Sequence, residues 1–308
     1  MDPRQLRIFK ALYDSGSITA AGNLERCAPS VVAHHLANLE HRLGVSLFER
    51  SRRGVVPTPA GQKFHGHALA ILRAIDGAES DMRDTPDRLS GRVVLGLAFS
   101  AVTAFAVTLM RRVVDEHPDL HLEIAESVSG ATIKGLLAAD TDLAVAFNPP
   151  KDSRLLLVPL LEEEMICIGR RDIIGEPDRP MAMDDFLSRR FVLPRRGPLG
   201  RPMADDVDVQ KRLEHHASLF SQNVVAAVLF VNSGLGLGLG TRANLLYGAY
   251  AQDVVGRPVA GRAITRTMYL CLRRDTPVSR AMAYMRDVII DCVETEVAEG
   301  RWPCRLLI

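Results

Sequence analysis

The hydrophobic positions in the first 60 residues recur at the spacing of short helices separated by turns. A polar turn at 14–17 ends the first helix, and a break at 27–28 ends the second. The third helix begins at Pro29, where a missing N–H costs nothing, and it ends before Gly44. Two helices joined by a tight turn predict a helix-turn-helix. The segment 45–58 then reads as two short strands with basic residues between them, which predicts a wing.

The helix that follows carries a heptad pattern. Thr58 and Pro59 mark its start, as a cap and a first helical residue. Its apolar residues alternate at spacings of four and three, like the a and d positions of a coiled coil: Phe64, Ala68, Ile71, Ile75, Ala78 and Met82. Because little globular sequence precedes this helix, we expect these residues to join two subunits. The alternative is a helix that packs on its own domain.

Beyond Gly91 the pattern changes to alternating strands and helices. Apolar runs such as 92–99 and 143–147 alternate with amphipathic segments such as 100–117. Repeats of this kind predict parallel sheets with helices on both faces, and a long central excursion indicates two lobes joined by crossing strands. The predicted domains are an all-α winged helix-turn-helix, a dimerisation helix with its linker, and a two-lobed α/β domain, at 1–60, 61–87 and 88–308. Lobe one is expected at about 88–162 and 268–308, and lobe two at about 163–267.

Composition and charge refine this picture only slightly. Hydrophobic residues make up 47% of the chain and charged residues 24%, which is ordinary for a folded domain and unlike a disordered or membrane protein. The net charge of +1 hides a local basic excess in the first 60 residues, with three arginines crowded into 49–54. A local excess suits DNA binding but is weak evidence alone. The N-terminus lacks the pattern of a secretory signal, so we expect a cytoplasmic protein.

The third helix is the expected DNA-reading element, since the second helix of a helix-turn-helix enters the major groove. Helical spacing turns Val32, Leu36 and Leu39 inward, so the outward face is Pro29, Ser30, Ala33, His34, Ala37 and Asn38. The residues expected to contact DNA are Thr19, Pro29, Ser30, His34, Asn38 and the wing residues Arg50, Arg52 and Arg53. Ser30 could instead cap the helix. His34 and His35 point about 100° apart on a helix and do not suggest a metal pair.

Several strings resemble the N-terminal signature of LysR-type transcriptional regulators. They are S-I-T-A-A at 17–21, A-P-S-V-V at 28–32, L-E-H-R-L-G-V-S-L-F-E-R at 39–50 and T-P-A-G at 58–61. The resemblance covers the whole chain, because the length and the α/β remainder also match. It implies a winged helix-turn-helix on double-stranded DNA, a linker helix that dimerises, and a two-lobed, periplasmic-binding-protein-like domain that binds a small-molecule effector. It also implies homodimers or homotetramers, and contact with RNA polymerase at the promoter.

The chain departs from that family in the helix before the turn. Glu25 stands where leucine is usual, and Cys27 stands where an aliphatic residue is usual. We expect Leu24 to take over the core position. The departure leaves an alternative open, a ligand-binding protein whose DNA-binding head is impaired.

The candidate effector contacts lie where strands end and helices begin, because ligands of doubly wound sheets bind there. The first junction supplies Ser100, Ala101 and Val102. Ser100 opens a helix whose free N–H groups favour an anion, although it could simply cap that helix; the family resemblance favours ligand contact. The other candidates are Ser129, Phe147, Asn148, Pro194, Arg195, Arg196 and Asn223. The arginines favour an acidic effector, through bidentate pairing with a carboxylate, or are ordinary surface residues.

The sequence offers no indication of an enzyme, a cofactor or a metal site. It contains no G-x-S-x-G, H-E-x-x-H or Walker motif. Glycine and leucine alternate at 234–240 with the period of a buried strand rather than that of a nucleotide-binding loop. The five cysteines are scattered without a C-x-x-C pair, which supports neither a disulfide framework nor a zinc site.

Overall fold

The computed structural model describes residues 1–51, 54–85, 88–177, 179–194, 202–246, 250–261 and 263–308. The N-terminal part consists of three short helices, a two-stranded hairpin and one long helix. These elements are α1 (Pro3–Ser15), α2 (Ile18–Leu24), α3 (Pro29–Leu43), β1 (Phe48–Ser51), β2 (Gly54–Pro57) and α4 (Pro59–Arg83). The arrangement confirms the predicted winged helix-turn-helix followed by a long helix. None of the helices in the described ranges is long and apolar enough to cross a membrane.

The hairpin is fixed against the helices by close backbone contacts. Gly16 ends α1 in the left-handed conformation, and its carbonyl accepts a hydrogen bond from the Val55 N–H at 2.9 Å. A Cβ on Gly54 would lie 2.3 Å from that same carbonyl oxygen, so a larger residue would push the hairpin away. The wing is therefore held at a set distance from the turn between α1 and α2.

Two side chains from the sequence strings at 39–50 and 58–61, Glu40 and Thr58, make hydrogen bonds that hold this part of the fold together. Glu40 Oε1 accepts hydrogen bonds from the N–H groups of Leu47 and Phe48, at 2.6 and 3.2 Å, and so ties α3 to the start of β1. Thr58 Oγ1 accepts from the Gly61 N–H at 3.0 Å and donates to the Ser46 carbonyl at 2.8 Å. Because the carboxylate acceptor is charged, the bonds to Glu40 are among the stronger ones in this part of the fold.

The expected core role of Leu24 is wrong. Its side chain is 64% exposed, whereas Cys27 is partly buried and packs against the core formed by Leu6, Phe9 and Leu12. Cys27 thus keeps the place of the usual aliphatic residue, so α2 needs no shift to bury Leu24.

The prediction that the whole heptad pattern of α4 joins two subunits is partly wrong. Ala68 is fully buried in the core of the N-terminal part, and Phe64 packs there edge-on to Phe9, with ring centroids 4.9 Å apart. Phe64 and Ala68 therefore pack inside the N-terminal core of the same chain and do not join two subunits. Ile71, Ala78 and Met82 are exposed and Ile75 is half-buried. The heptad spacing could not distinguish the two cases, because a helix uses the same spacing against any apolar partner.

The C-terminal part is a two-lobed α/β structure, as predicted. Lobe one is defined here by β3 (Gly91–Ala98), α5 (Phe99–Glu116), β4 (Leu120–Ser127), α6 (Ser129–Leu137), β5 (Leu143–Phe147), α12 (Arg280–Ala298) and β12 (Arg305–Leu306). Lobe two is defined by α7 (Arg171–Ile174), α8 (Met183–Ser188), β7 (Phe191–Pro194), α9 (Val207–His216), β8 (Leu219–Ser221), α10 (Val224–Asn232), β9 (Leu237–Gly240), α11 (Arg242–Leu246) and β10 (Val254–Arg257). Two long strands, β6 (Leu155–Arg170) and β11 (Ile264–Arg273), run through both lobes.

The sheet is continuous from one lobe to the other. Its strand order is β4-β3-β5-β11-β6-β9-β7-β8, with β10 and β12 also paired to β6. Strands β3, β4 and β5 are parallel, as are β7, β8 and β9, while β11 is antiparallel to both β5 and β6. The β6–β11 ladder pairs Leu155 with Arg273 at one end and Met165 with Ile264 at the other, with one irregularity between Met268 and Tyr269.

Helix α4 also packs against lobe one. The Arg73 guanidinium forms an ion pair with Asp142 at 3.0 Å and donates to the Asp140 carbonyl at 2.6 Å. Nearer the end of α4, Asp81 accepts a hydrogen bond from the Arg280 N–H at 3.0 Å, at the start of α12. The long helix is thus fixed to its own effector domain along its second half.

Candidate functional site

The outward face of α3 is composed as the sequence predicts. Val32 and Leu39 are buried and Leu36 is half-buried. The residues on the opposite side are all exposed: Pro29, Ser30, Ala33, His34, Ala37 and Asn38. Asn38 Nδ2 lies 3.0 Å from His34 Nε2, so these two polar side chains are already oriented towards each other. The helix presents a polar edge of the kind that reads base pairs in the major groove.

The other predicted DNA contacts lie around this helix. Thr19 on α2 and Arg50 on β1 are both exposed. Ser17, rather than Thr19, caps α2, because its hydroxyl accepts from the Ala20 N–H at 3.4 Å. Thr19 is therefore not needed as a cap. Arg52 and Arg53 lie outside the described residues.

A cavity of about 930 Å³ lies between the two lobes, where several helices begin. It is lined by Ser100 at the start of α5, by Ser129 at the start of α6 and by Asn223 at the start of α10. Phe147, at the end of β5, also lines it. Four of the predicted effector contacts therefore meet at one cavity, drawn from both lobes.

Two of these helices begin without a side-chain cap. The residues before α5 and α6 are Ala98 and Val128, and neither offers a side-chain hydrogen bond to the first helical turn. Ser129 Oγ instead accepts from the Phe147 N–H at 3.1 Å. By contrast, Asn223 caps α10 through the Ala226 N–H at 3.3 Å. The first N–H groups of α5 and α6 are thus left to a ligand or to water, and the helix dipoles favour a negative charge there.

Three predicted effector contacts are wrong. Ala101 is completely buried, and Val102 packs against the same lobe-one core. Both point away from the cavity, because successive helical residues are rotated by about 100°. Asn148 does not line the cavity either. Its Oδ1 accepts from the Thr267 N–H at 3.0 Å, and its Nδ2 donates to the Pro202 carbonyl at 3.3 Å, so its role is to join the lobes.

The predicted contacts on the second-lobe loop are only partly placed. Pro194 is the last residue of β7. Arg195 and Arg196 lie outside the described residues. The buried cationic group that the structure brings to the cavity is a different one, Arg266 on β11.

Arg266 was missed by the sequence reasoning and is the most constrained charge of the cavity. Its Nε donates to Glu163 Oε1 at 2.7 Å and its Nη2 donates to Ser100 Oγ at 2.8 Å. Its guanidinium lies 3.7 Å from the ring centroid of Phe147, in cation–π contact. Glu163 Oε2 accepts in turn from Trp302 Nε1 at 2.9 Å. Period-2 alternation could have found it, since Arg266 lies between Ile264 and Met268 on the buried face of β11.

The described part of the cavity wall carries positive charge alone. Arg266, Lys134 and Arg154 line it, and no described lining residue is an aspartate or a glutamate. Lys134 and Arg154 are exposed, so solvent screens them. Arg154 is also hydrogen-bonded to Asp152, which lowers the pKa of that carboxyl to about 2. The remaining wall is mostly apolar, as in sites for organic molecules.

The described residues include buried thiols and no cluster of metal-ligating side chains. Burial raises the pKa of the Cys167 and Cys271 thiols to about 12, which keeps both protonated at neutral pH. Within the described ranges, histidine, cysteine, aspartate and glutamate nowhere form a group of three or more that could hold a metal ion.

Family models match both parts of the chain. Residues 3–62 match the model described as bacterial regulatory helix-turn-helix protein, lysR family, and residues 86–292 match the LysR substrate binding domain. Among curated relatives, the HTH-type transcriptional regulator BbuR of Bordetella bronchiseptica is 24% identical over 98% of this chain and 93% of that protein. The nitrogen assimilation regulatory protein nac of Klebsiella aerogenes is 28% identical over 77% of each chain.

Solved structures share the fold along nearly the whole chain. A cysteine variant of full-length OxyR from Pseudomonas aeruginosa aligns with a TM-score of 0.70 at 18% identity, covering 96% of this chain and 95% of that one. CbnR in complex with its target DNA aligns with a TM-score of 0.66 at 19% identity, covering 96% and 100%. The helix-turn-helix, the long helix, the two-lobed domain and these matches together place the chain in the LysR family of DNA-binding transcriptional regulators with an effector-binding domain.

Proposed function

We propose that a small organic anion, held in the cavity between the lobes, controls how this chain binds duplex DNA. The observation that carries the proposal is the convergence of two uncapped helix N-termini, those of α5 and α6, with the guanidinium of Arg266. The helix N-termini favour negative charge, the guanidinium offers N–H donors beside them, and the apolar remainder of the wall suits an organic body. Ser100, Ser129, Phe147 and Asn223 would contact the effector.

The DNA contacts proposed are those of the exposed α3 edge and the wing. Ser30, His34 and Asn38 are the candidates for reading bases, while Thr19, Pro29 and Arg50 would contact the backbone. Arg52 and Arg53, beyond the described residues, are proposed as further wing contacts. The alternative of an impaired DNA-binding head is not favoured, because the α3 edge is exposed and Cys27 is accommodated in the core.

The assembly proposed is a homodimer joined through the exposed line of α4, with two dimers forming a homotetramer on DNA. Ile71, Ile75, Ala78 and Met82 form that line. We further propose a cytoplasmic location and contact with RNA polymerase at the promoter, as expected for a regulator that acts on DNA.

The test measures DNA affinity with and without effector candidates. Labelled DNA from the region upstream of the protein's own gene is titrated against the wild-type chain, with a scrambled duplex as control, and a panel of carboxylic acids is then added. We expect tighter binding to the upstream DNA and a change in that binding with at least one acid. Ser100→Leu, which fills the cavity beside Arg266, should abolish the change while leaving DNA affinity intact. Equal binding to both duplexes, or a normal response in Ser100→Leu, contradicts the proposal.

A further inference from the structure

A buried chain of polar contacts connects the cavity to the C-terminal segment of the protein. It runs from Ser100 through Arg266 and Glu163 to Trp302, with successive distances of 2.8, 2.7 and 2.9 Å. All four side chains are at most 8% exposed, and Glu163 and Trp302 are 1% exposed. Neither DNA binding nor the anion-favouring helix N-termini explain why the Glu163 carboxylate is buried here. A buried glutamate beside the cavity's main cation therefore has to be explained by what it does to that cation.

The first effect of Glu163 is to cancel the charge of Arg266. The two groups form a buried ion pair, so the pair adds no net charge to the inner end of the cavity. The positive potential left there comes from the N-termini of α5 and α6, each equivalent to about half an elementary charge. Together these amount to about one positive charge, which one negative charge on a ligand would balance.

The second effect is to fix the guanidinium in place. Glu163 holds the Nε edge, Ser100 holds Nη2, and the Phe147 ring lies against the face at 3.7 Å. Trp302 in turn holds Glu163, and its ring stacks on Phe105 with centroids 6.1 Å apart. The negative charge of Glu163 also reaches Cys304, where burial and that charge together raise the pKa of the thiol to about 12. The segment after α12 is thus built into the wall behind Arg266.

Resting on the proposed anion-sensing function, we propose that Glu163 selects effectors carrying a single negative charge and that Trp302 is the positioning residue that holds Glu163 and Arg266. Because Glu163 neutralises Arg266, the second negative charge of a dianion would be buried without a compensating positive charge. A monoanion is balanced by the two helix N-termini. The ligand class is therefore an apolar-bodied organic monoanion, such as a monocarboxylate or a monosulfonate.

The test uses two anions of similar size that differ in charge, methanesulfonate and sulfate, on the full-length chain at constant ionic strength. Trp302 is the single tryptophan of the protein and is hydrogen-bonded to Glu163, so its emission reports on the surroundings of that carboxylate, and calorimetry provides an independent measurement of binding. The wild-type chain should bind methanesulfonate more tightly than sulfate. Glu163→Gln should raise the affinity for sulfate relative to methanesulfonate by about tenfold or more, from the Coulomb energy of one charge at several ångströms.

Two further variants separate charge from structure. Glu162→Gln removes the same charge from the neighbouring position of β6, where Glu162 pairs with Arg305 at 3.1 Å, and should leave the ratio of the two affinities unchanged. Trp302→Phe keeps the charge of Glu163 but loses its hydrogen-bond donor. By calorimetry it should weaken both anions by a similar factor of roughly ten, with the ratio preserved. A purely structural Glu163 would instead weaken both anions in Glu163→Gln.

The outcomes distinguish the two proposals. If neither anion binds the wild-type chain, the anion-sensing function fails and this inference fails with it. If both bind but Glu163→Gln leaves their ratio unchanged, or wild type prefers sulfate, the inference alone is wrong. Should Glu163→Gln not fold, the wild-type preference and the Trp302→Phe ratio still decide the matter.

Discussion

Asn148 holds an unusual backbone conformation at the point where lobe one meets lobe two. Its φ of +46° is in the left-handed region, which asparagine tolerates better than most residues. Its side chain accepts from Thr267 N–H and donates to the Pro202 carbonyl. The residue is thus selected both for its backbone and for its amide.

Replacing Asn148 separates these two contributions. Asn148→Gly removes the side-chain hydrogen bonds, but glycine adopts a positive φ without strain. This variant should lower the free energy of unfolding by about 1 kcal/mol. Asn148→Ala loses the bonds and adds backbone strain, and should cost about 2 kcal/mol. Urea unfolding of both variants checks the order. Equal losses would mean that the left-handed backbone contributes nothing.

Glu296 makes stability depend on acid. Burial by itself raises the pKa of this carboxyl, but hydrogen bonds from Arg301 and Thr108 outweigh burial and hold the pKa below its ordinary value. A carboxyl with a lowered folded pKa stabilises the fold fully above its unfolded pKa near 4.5, and loses that contribution as the pH falls through the folded value. The wild-type chain should therefore lose stability over this acidic range more steeply than Glu296→Gln. Denaturant unfolding at a series of pH values measures this. Glu294→Gln, an exposed change on the same helix, should retain the wild-type slope; a steep slope in Glu296→Gln would refute the assignment.

Single-sequence reasoning succeeds at residues whose role follows from local period and fails where it depends on distant partners. The six exposed residues of α3 follow from helical spacing alone. Ser100 and Arg266 are 166 positions apart, and no local pattern pairs them. Ala101 and Val102 fail because a strand–helix junction marks a region, whereas the direction of each side chain depends on where the helix starts.

At the scale of elements, α4 contacts the N-terminal core and lobe one and leaves a further line of residues exposed. Its start packs in the N-terminal core through Ala68, its second half contacts lobe one through Arg73, and its exposed line ends at Met82. The heptad pattern predicted the helix and its apolar stripe. It could not divide the stripe among partners, because the pattern records spacing and not what lies opposite.

The exposed line of α4 gives a prediction for assembly. Ile71→Glu together with Met82→Glu should weaken the dimer by roughly tenfold or more, because a charge buried between apolar surfaces is costly. Gln62→Glu adds the same charge at an exposed position near the start of the helix and is the matched control. Sedimentation equilibrium measures the dissociation constants, and thermal unfolding verifies that the N-terminal core is intact. An unchanged constant in the double variant would exclude this face from the dimer.

For the whole molecule, the contact between α4 and lobe one joins the effector domain to the helix that follows the DNA-binding domain. Arg73 is 18% exposed and Asp142 10% exposed. Burial lowers the pKa of the Arg73 guanidinium, and the Asp142 carboxylate opposes that effect. Asp142 Oδ2 also accepts from the Val94 N–H at 2.7 Å, which extends the contact into β3.

Breaking this contact should release the linker helix. In Arg73→Met, amide hydrogen exchange in the second half of α4 should accelerate by roughly tenfold, because Asp142 is left without its partner. Arg83→Met is the matched control, since Arg83 forms an exposed ion pair within the same helix, with Glu79 at 3.3 Å. Equal exchange rates in Arg73→Met and wild type would show that the ion pair does not hold α4 on lobe one.

The long β6–β11 ladder has a mechanical consequence. Two lobes joined at a single-residue hinge could rotate freely. A hydrogen-bonded pair of strands that runs through both lobes instead resists bending between them. We therefore expect effector binding to twist this pair of strands slightly, and the register irregularity between Met268 and Tyr269 interrupts its regular pairing. We expect such a twist to become a small rotation of the lobes, which the 25-residue helix α4 would carry to the DNA-binding domain.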